Sequence, residues 1–336
     1  MTMLTSFIRS RISVPVAAVL AFAACTQTGF AAAAAGAADY PHKTIRLVAP
    51  AAPGGGIDIA ARITAQRLLA GFPQPVIVDN RGGSGGIIGT ELVAKAPPDG
   101  YTLLMNGLGG TYLKAVYAKL SFDPESDFAA VALVVRQPWA LAVHPALPVA
   151  STADFIRLAK SKPGELRYGT GGVGSASFMG LQLLRSAAQI DIAHVPYKGT
   201  GPALLALLGG EIQFLIASLP SIAPHASTGR ARLLGVTTAA RTRLMPALPT
   251  IGESGLPGYT FDVWYGLFAP VKTPRAVINR LNAEINRSVQ QPDLSERLAA
   301  EGLETAAGTP QQFEAHFRSE ITKWKKVVLE SGMRAE

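Results

Sequence analysis

Thr44-Ile45-Arg46-Leu47-Val48-Ala49-Pro50-Ala51-Ala52-Pro53-Gly54-Gly55-Gly56-Ile57-Asp58-Ile59 passes from a β-rich run, through a Pro/Gly turn, into the first turn of a helix. The helical stretch is expected over Asp58 to Leu69. Outward from it, Pro75 to Asp79 reads as a second strand and Gly82 to Gly86 as a second turn. Ile87 to Lys95 reads as a second helix and Tyr101 to Met105 as a third strand. This β-α-β-α-β order argues for an α/β fold with a largely parallel sheet.

The pattern then restarts. Val131 to Val135 and Leu141 to Val143 are strand-like, and Ala153 to Lys160 is helical, with Ser151 as its cap. Leu166-Arg167-Tyr168 leads into Gly169-Thr170-Gly171-Gly172-Val173-Gly174, followed by a helix from Ala176 to Ala187. Ile192 to Tyr197, Ile212 to Ile216 and Leu233 to Thr237 are further strands. Val277, Leu281, Ile285 and Val289 recur every four residues, as do Phe313, Phe317, Ile321, Trp324 and Val328. Each set lines one helix face for packing on a sheet. Two similar α/β units with a helical tail predict two lobes. The hinge crossings are expected near Pro138–Leu141 and Tyr259–Tyr265.

Two glycine turns carry the chemistry. Ala52 to Asp58 closes the first strand and opens a helix, and Gly171 to Ser177 does the same in the second unit. A helix N-terminus presents unpaired N–H groups and a partial positive charge. Glycine lets a ligand approach that backbone, so each turn is an anion site. One such turn per unit suggests two jaws closing on one anion. Hydrogen bonds to a charged group contribute about 1.5–3 kcal/mol each, so four would contribute about 6–12 kcal/mol. Against an association cost of at least ~4 kcal/mol, micromolar affinity is within reach.

Other motifs carry less. Gly169, Gly171 and Gly174 fit G-x-G-x-x-G, but Asp191 precedes its strand, the wrong end for a ribose contact in a dinucleotide site. Gly82-Gly83-Ser84-Gly85-Gly86 fits the nucleophile elbow of an exported serine hydrolase, yet His144, His194, His225 and His316 have no triad context. The histidines are too scattered for zinc signatures, and no P-loop Lys-Ser/Thr pair follows a glycine run. Neither a cofactor nor a metal is expected.

The chain has 336 residues, 48% apolar and 16% charged, which excludes a disordered or low-complexity protein. Its formal charge is +8, with no clustered basic run, which suits mild steering of anions rather than nucleic-acid binding. Arg9 and Arg11 are the only charges before Asp39. The apolar run from Ile12 to Ala24 is shorter than the ~20 residues a membrane span needs. Basic start, short apolar run and the alanine-rich tail Ala31 to Ala38 predict a secretory signal over residues 1–38. Cys25, the single cysteine, follows Phe22-Ala23-Ala24 and resembles a lipoprotein cleavage box, so lipidation there is the alternative to cleavage near Ala35–Ala38.

The stretches Tyr40–Leu68, Gln74–Leu104, Leu120–Val134, Tyr168–Ser177, His194–Ile212 and Leu248–Pro270 together resemble the tripartite tricarboxylate transporter substrate-binding proteins, the Bug family. The resemblance covers the whole chain after the leader. It implies a two-lobed α/β periplasmic binding protein fold of type II, with two mixed sheets flanked by helices and a hinge between the lobes. Lobe I would comprise residues 39–140 and 262–336, and lobe II residues 141–261. The implied function is capture of a small organic carboxylate in the interlobe cleft, outside catalysis, and its delivery to membrane permease subunits. Such a receptor would act in the periplasm, by default as a monomer. A sensor subunit for a two-component system is the other use of the same architecture.

By position, the resemblance implies ligand contacts at Pro53, Gly54, Gly55, Gly56, Ile57 and Asp58 in the first jaw. In the second it implies Gly172, Val173, Gly174, Ser175, Ser177 and Phe178. Thr111 and Tyr197-Lys198-Gly199 fall in other loops that face the cleft, and Ala217 on the strand before Pro224-His225. Trp264 is expected to pack at the hinge. Phe178 stands where the family usually has His, Ala217 where Asp is common, Lys114 where Asn is common and Ser84 where Ala is usual. Phe178 and Ala217 would make the distal pocket less polar, favouring a monocarboxylate with an apolar body over citrate or an amino acid.

Overall fold

The computed structural model describes residues 39–331, except 52, 54–55, 84–85, 118, 173, 198, 290–295, 297 and 300–301. The expected leader with Cys25, and Gly54, Gly55, Ser84, Val173 and Lys198, lie outside the described residues. Strand β1 (Ile45–Ala49) leads to α1 (Gly56–Gly71), β2 (Val76–Asn80), α2 (Ile87–Ala94), β3 (Thr102–Gly107) and α3 (Leu108–Val116). β4 (Phe128–Gln137) and β5 (Trp139–Val143) follow, then α4 (Thr152–Ser161), β6 (Arg167–Thr170), α5 (Ala176–Ala188) and β7 (Ala193–Pro196). The chain continues through α6 (Thr200–Leu208), β8 (Phe214–Ser218), α7 (Leu219–Ser227) and β9 (Arg232–Val236). It ends with β10 (Val263–Pro270), α8 (Arg275–Val289), β11 (Glu304–Thr305) and α9 (Pro310–Ser331).

These strands form two mixed sheets, β11-β4-β10-β3-β1-β2 and β7-β6-β8-β5-β9. In the first, β1 lies parallel between β2 and β3, as the expected β-α-β-α-β unit requires, and antiparallel β10 inserts between β3 and β4. Apart from Arg46, β1 is apolar without alternation because both its faces are covered. Leu47 joins a core with Ala60, Ala61 and Leu68 of α1 and Leu281 and Ile285 of α8. Its neighbour Val48 points the other way, into a core with Val93 of α2 and Phe313 and Phe317 of α9.

The second sheet repeats this layering. Leu141, Phe214 and Ile216 face Phe155 of α4 and Met179 and Leu181 of α5. Ala140, Leu215 and Ala217 face Leu204 and Leu207 of α6 and Ile222 of α7. Ser151 caps α4, its side chain accepting from the Asp154 N–H, as the sequence predicts.

Two chain crossings join the lobes. Pro138 separates β4 in the first sheet from β5 in the second, so Trp139 and Ala140 belong to the second sheet rather than the first. The return path runs from β9 to β10, guided by the Phe261 N–H donating to the Thr237 carbonyl at 2.7 Å. The closing helix is not confined to the first lobe. Phe313, Phe317 and Ile321 cover the first sheet, while Trp324, Val327 and Val328 join the second lobe's core beside Leu108 of α3. Near its end, Ser186 Oγ of α5 donates to Glu330 Oε2 at 2.9 Å.

Three helices were not expected. α3 begins with Gly109-Gly110, which reads as a loop. α7 contains Pro220 and Pro224, and α6 contains Pro202 after Gly199. Among the described residues no helix is long and apolar enough to cross a membrane.

Candidate functional site

The first jaw is the turn between β1 and α1. Pro53 is exposed, Gly56 opens α1, and Ile57 is half-buried against the core of its lobe. Asp58, in the first turn of α1, is buried at 3% exposure. Its Oδ1 accepts from Asn80 Nδ2 at 3.0 Å and its Oδ2 from Arg62 Nε at 3.0 Å. Asn80 Nδ2 also donates to the Ala51 carbonyl at 3.2 Å. Asn80, at the end of β2, thus ties both sides of the turn to the sheet. Asp58 is a positioning residue: its carboxylate faces Asn80 and Arg62 and favours the positive end of α1.

The second jaw is the turn between β6 and α5. Ser175 is its N-cap: its Oγ accepts from the Phe178 N–H at 3.2 Å and donates to the Gly172 carbonyl at 2.7 Å. Ser177, 1% exposed, accepts the Gly171 N–H on its Oγ at 2.9 Å. Thr170 Oγ1 accepts the Gly172 N–H at 3.2 Å, and the Ser175 N–H donates to the Gly172 carbonyl at 3.2 Å. Much of this loop's donor capacity therefore goes into holding its own shape. Gly172 and Gly174 have φ of 107° and 77°, a region that glycine enters without a side-chain penalty.

Behind this jaw lies His194. Its Nε2 is 2.7 Å from Thr170 Oγ1, and its ring stacks on Tyr168 at 5.0 Å. Burial pushes the imidazole below its ordinary value.

Four further expected contacts lie outside the two turns. Phe178 is 7% exposed, packs on the His194 ring at 5.0 Å and belongs to the second lobe's core. Its N–H is taken by the Ser175 cap. Ala217 is fully buried on the face of β8 that meets α6 and α7. Because both side chains fill core, the expectation of a less polar distal pocket loses its basis. Thr111 lies on α3 rather than in a loop, and its Oγ1 donates to the Leu108 carbonyl at 2.6 Å. Tyr197 is half-buried behind the second jaw, its N–H donating to the Thr170 carbonyl at 3.0 Å. Lys114 makes a surface ion pair with Asp123 at 2.6 Å. Trp264 is fully buried against Phe313, His316 and Phe317.

Two tyrosines that the sequence does not single out reach the jaws. Tyr112 Oη, from α3 in the first lobe, donates to the Gly174 carbonyl of the second at 2.8 Å. Tyr265, on β10, lies close enough to Tyr112 to help raise that hydroxyl's pKa, after burial and Tyr117. Its own hydroxyl reaches Gly56, where an added Cβ would stand 2.1 Å from Tyr265 Oη. Tyr265 thus reaches one helix N-terminus and Tyr112 the turn before the other. Nothing local in the sequence signals either contact, because each joins distant parts of the chain.

Residues 60–333 match the family described as the tripartite tricarboxylate transporter family receptor. The chain belongs to that family. Protein BugT of Bordetella pertussis is 34% identical to this receptor over 305 residues, 90% of this chain and 94% of BugT. Among solved structures, Rpa4515 of R. palustris with adipate is 35% identical, with a TM-score of 0.75 over 88% of this chain and 100% of its own. MatC from Rhodopseudomonas palustris with bound malate is 31% identical, with a TM-score of 0.71 over 86% of this chain and 100% of its own. The receptor therefore has the two-lobed periplasmic binding protein fold, and the resemblance to the Bug proteins is upheld.

Proposed function

We propose that this receptor captures a small organic carboxylate between its lobes and delivers it to the membrane subunits of a tripartite tricarboxylate-type transporter. The observation that carries the reading is the pair of helix N-termini, one per lobe, reached by Tyr265 and Tyr112 respectively. Each offers N–H groups and the positive end of a helix to a negative charge. Adipate and malate in two relatives of this fold support the carboxylate class. The contact residues are Gly54 to Ile57 in the first jaw and Gly172 to Ser177 in the second, with Pro53 on the rim and Asp58 holding the first turn.

In this reading residues 39–138 and 262–322 form the lobe that carries the first jaw, and 139–261 the lobe that carries the second. The ligand stabilises the closed arrangement and shifts the population toward it. The receptor is exported by its first 38 residues, works in the periplasm as a monomer, and releases its ligand chemically unchanged. Calorimetric titration with adipate, malate, citrate and aspartate tests the class. Micromolar binding of a carboxylate, unmatched by its neutral amide, is expected. Failure of every carboxylate to bind would overturn the reading.

A further inference from the structure

Tyr265 occupies an unusual place. It pairs with Gly107, the last residue of β3, on the strand that returns from the second lobe. Its ring packs at the edge of both lobes' cores. Two glycines make room for it. A Cβ on Gly107 would come 2.9 Å from Tyr265 Cδ1, and one on Gly56 would come 2.1 Å from Oη. Any side chain at Gly56 would displace the hydroxyl from the end of α1.

That hydroxyl has no hydrogen-bond partner among the described residues. Tyr112, beside it, contrasts: its hydroxyl is spent on the Gly174 carbonyl. Burial pushes the Tyr265 hydroxyl up to about 12, so it carries its proton throughout the neutral range. A half-buried phenol donor aimed at a helix N-terminus, with no protein acceptor, lacks a partner that a carboxylate oxygen would supply.

We propose that Tyr265 is a ligand-binding residue whose hydroxyl donates to the carboxylate oxygen seated at the N-terminus of α1. This rests on the carboxylate-receptor reading and deepens it. The Gly56 N–H and the phenol then converge on one carboxylate from two directions, selecting an ionised acceptor over an amide. Because β10 follows directly on the return crossing from the second lobe, the bound carboxylate lies at the hinge end of the cleft.

The test is calorimetry with adipate and malate on the full receptor and on Tyr265→Phe, with ligand-free melting temperatures measured alongside. The variant is expected to bind about 10- to 100-fold more weakly, the range for a hydrogen bond to a charged group, with an unchanged ligand-free melting temperature. Equal affinity in both proteins would overturn the role of Tyr265 and leave the receptor reading standing. A ligand-free melting temperature several degrees lower would make the hydroxyl structural, which also overturns it. Failure of the unaltered receptor to bind either acid or any other carboxylate would overturn both.

Discussion

Asp58 is the residue on which the first jaw turns. Its carboxylate joins Asn80 to α1, so Asn80→Ala removes the tie to Ala51 as well. A buried acceptor left short of a partner costs about 1–3 kcal/mol, and chemical denaturation of Asn80→Ala should register a loss in that range. Phe178 makes the opposite point. Its ring fills core, so Phe178→Ala should destabilise by about 3–5 kcal/mol in the same measurement while leaving carboxylate preference unchanged. A change in preference without loss of stability would return Phe178 to the pocket. Both histidines buried near the lobes' cores, His194 and His316, are held below their ordinary value, His194 by burial and His316 by burial and Arg136. An unfolded chain takes up these protons near pH 6.5 while the native protein resists them. Stability should therefore be full above that pH and fall as pH drops below it. His194→Gln should flatten part of that slope in melting curves recorded between pH 8 and 5.

At the scale of elements, α5 shows how a turn becomes a site. Ser175 caps the helix and its hydroxyl also holds the Gly172 carbonyl. Ser175→Ala should cost about 1 kcal/mol of stability and loosen the jaw, seen as weaker ligand binding. The strand–turn–helix units were legible because apolar runs, glycine turns and helical periods alternate in register with the elements. α3 was not legible. Its Gly109-Gly110 start is tolerated because Gly110 packs on Asn106, where a Cβ would come 2.7 Å from Nδ2. α7 begins with Pro220 in its first turn and carries Pro224 within, yet buried Leu219 and Ile222 hold it to the second sheet. In both helices tertiary packing outweighs local propensity. The jaws themselves were legible as glycine turns. The partners that shape them, Asn80, Tyr112 and Tyr265, were not, because only the folded chain brings them there.

For the whole molecule, closure depends on contacts that cross the cleft. Tyr112 reaches Gly174 from the opposite lobe, and α9 straps both cores through Phe317 and Trp324. Tyr112→Phe removes a neutral hydrogen bond of about 0.5–1.5 kcal/mol that joins the two lobes. Its ligand affinity should fall by up to about tenfold. Ligand-free small-angle scattering should show a larger radius of gyration, and an unchanged radius with unchanged affinity would exclude this bond as a latch. The central claim is that one carboxylate is gripped by two helix N-termini at once. Amide hydrogen exchange of the receptor with and without saturating carboxylate reads both jaws in a single experiment. The account predicts joint protection of the amides around Gly56–Asp58 and around Gly174–Ser177. Protection in one lobe alone, or outside both turns, would contradict it.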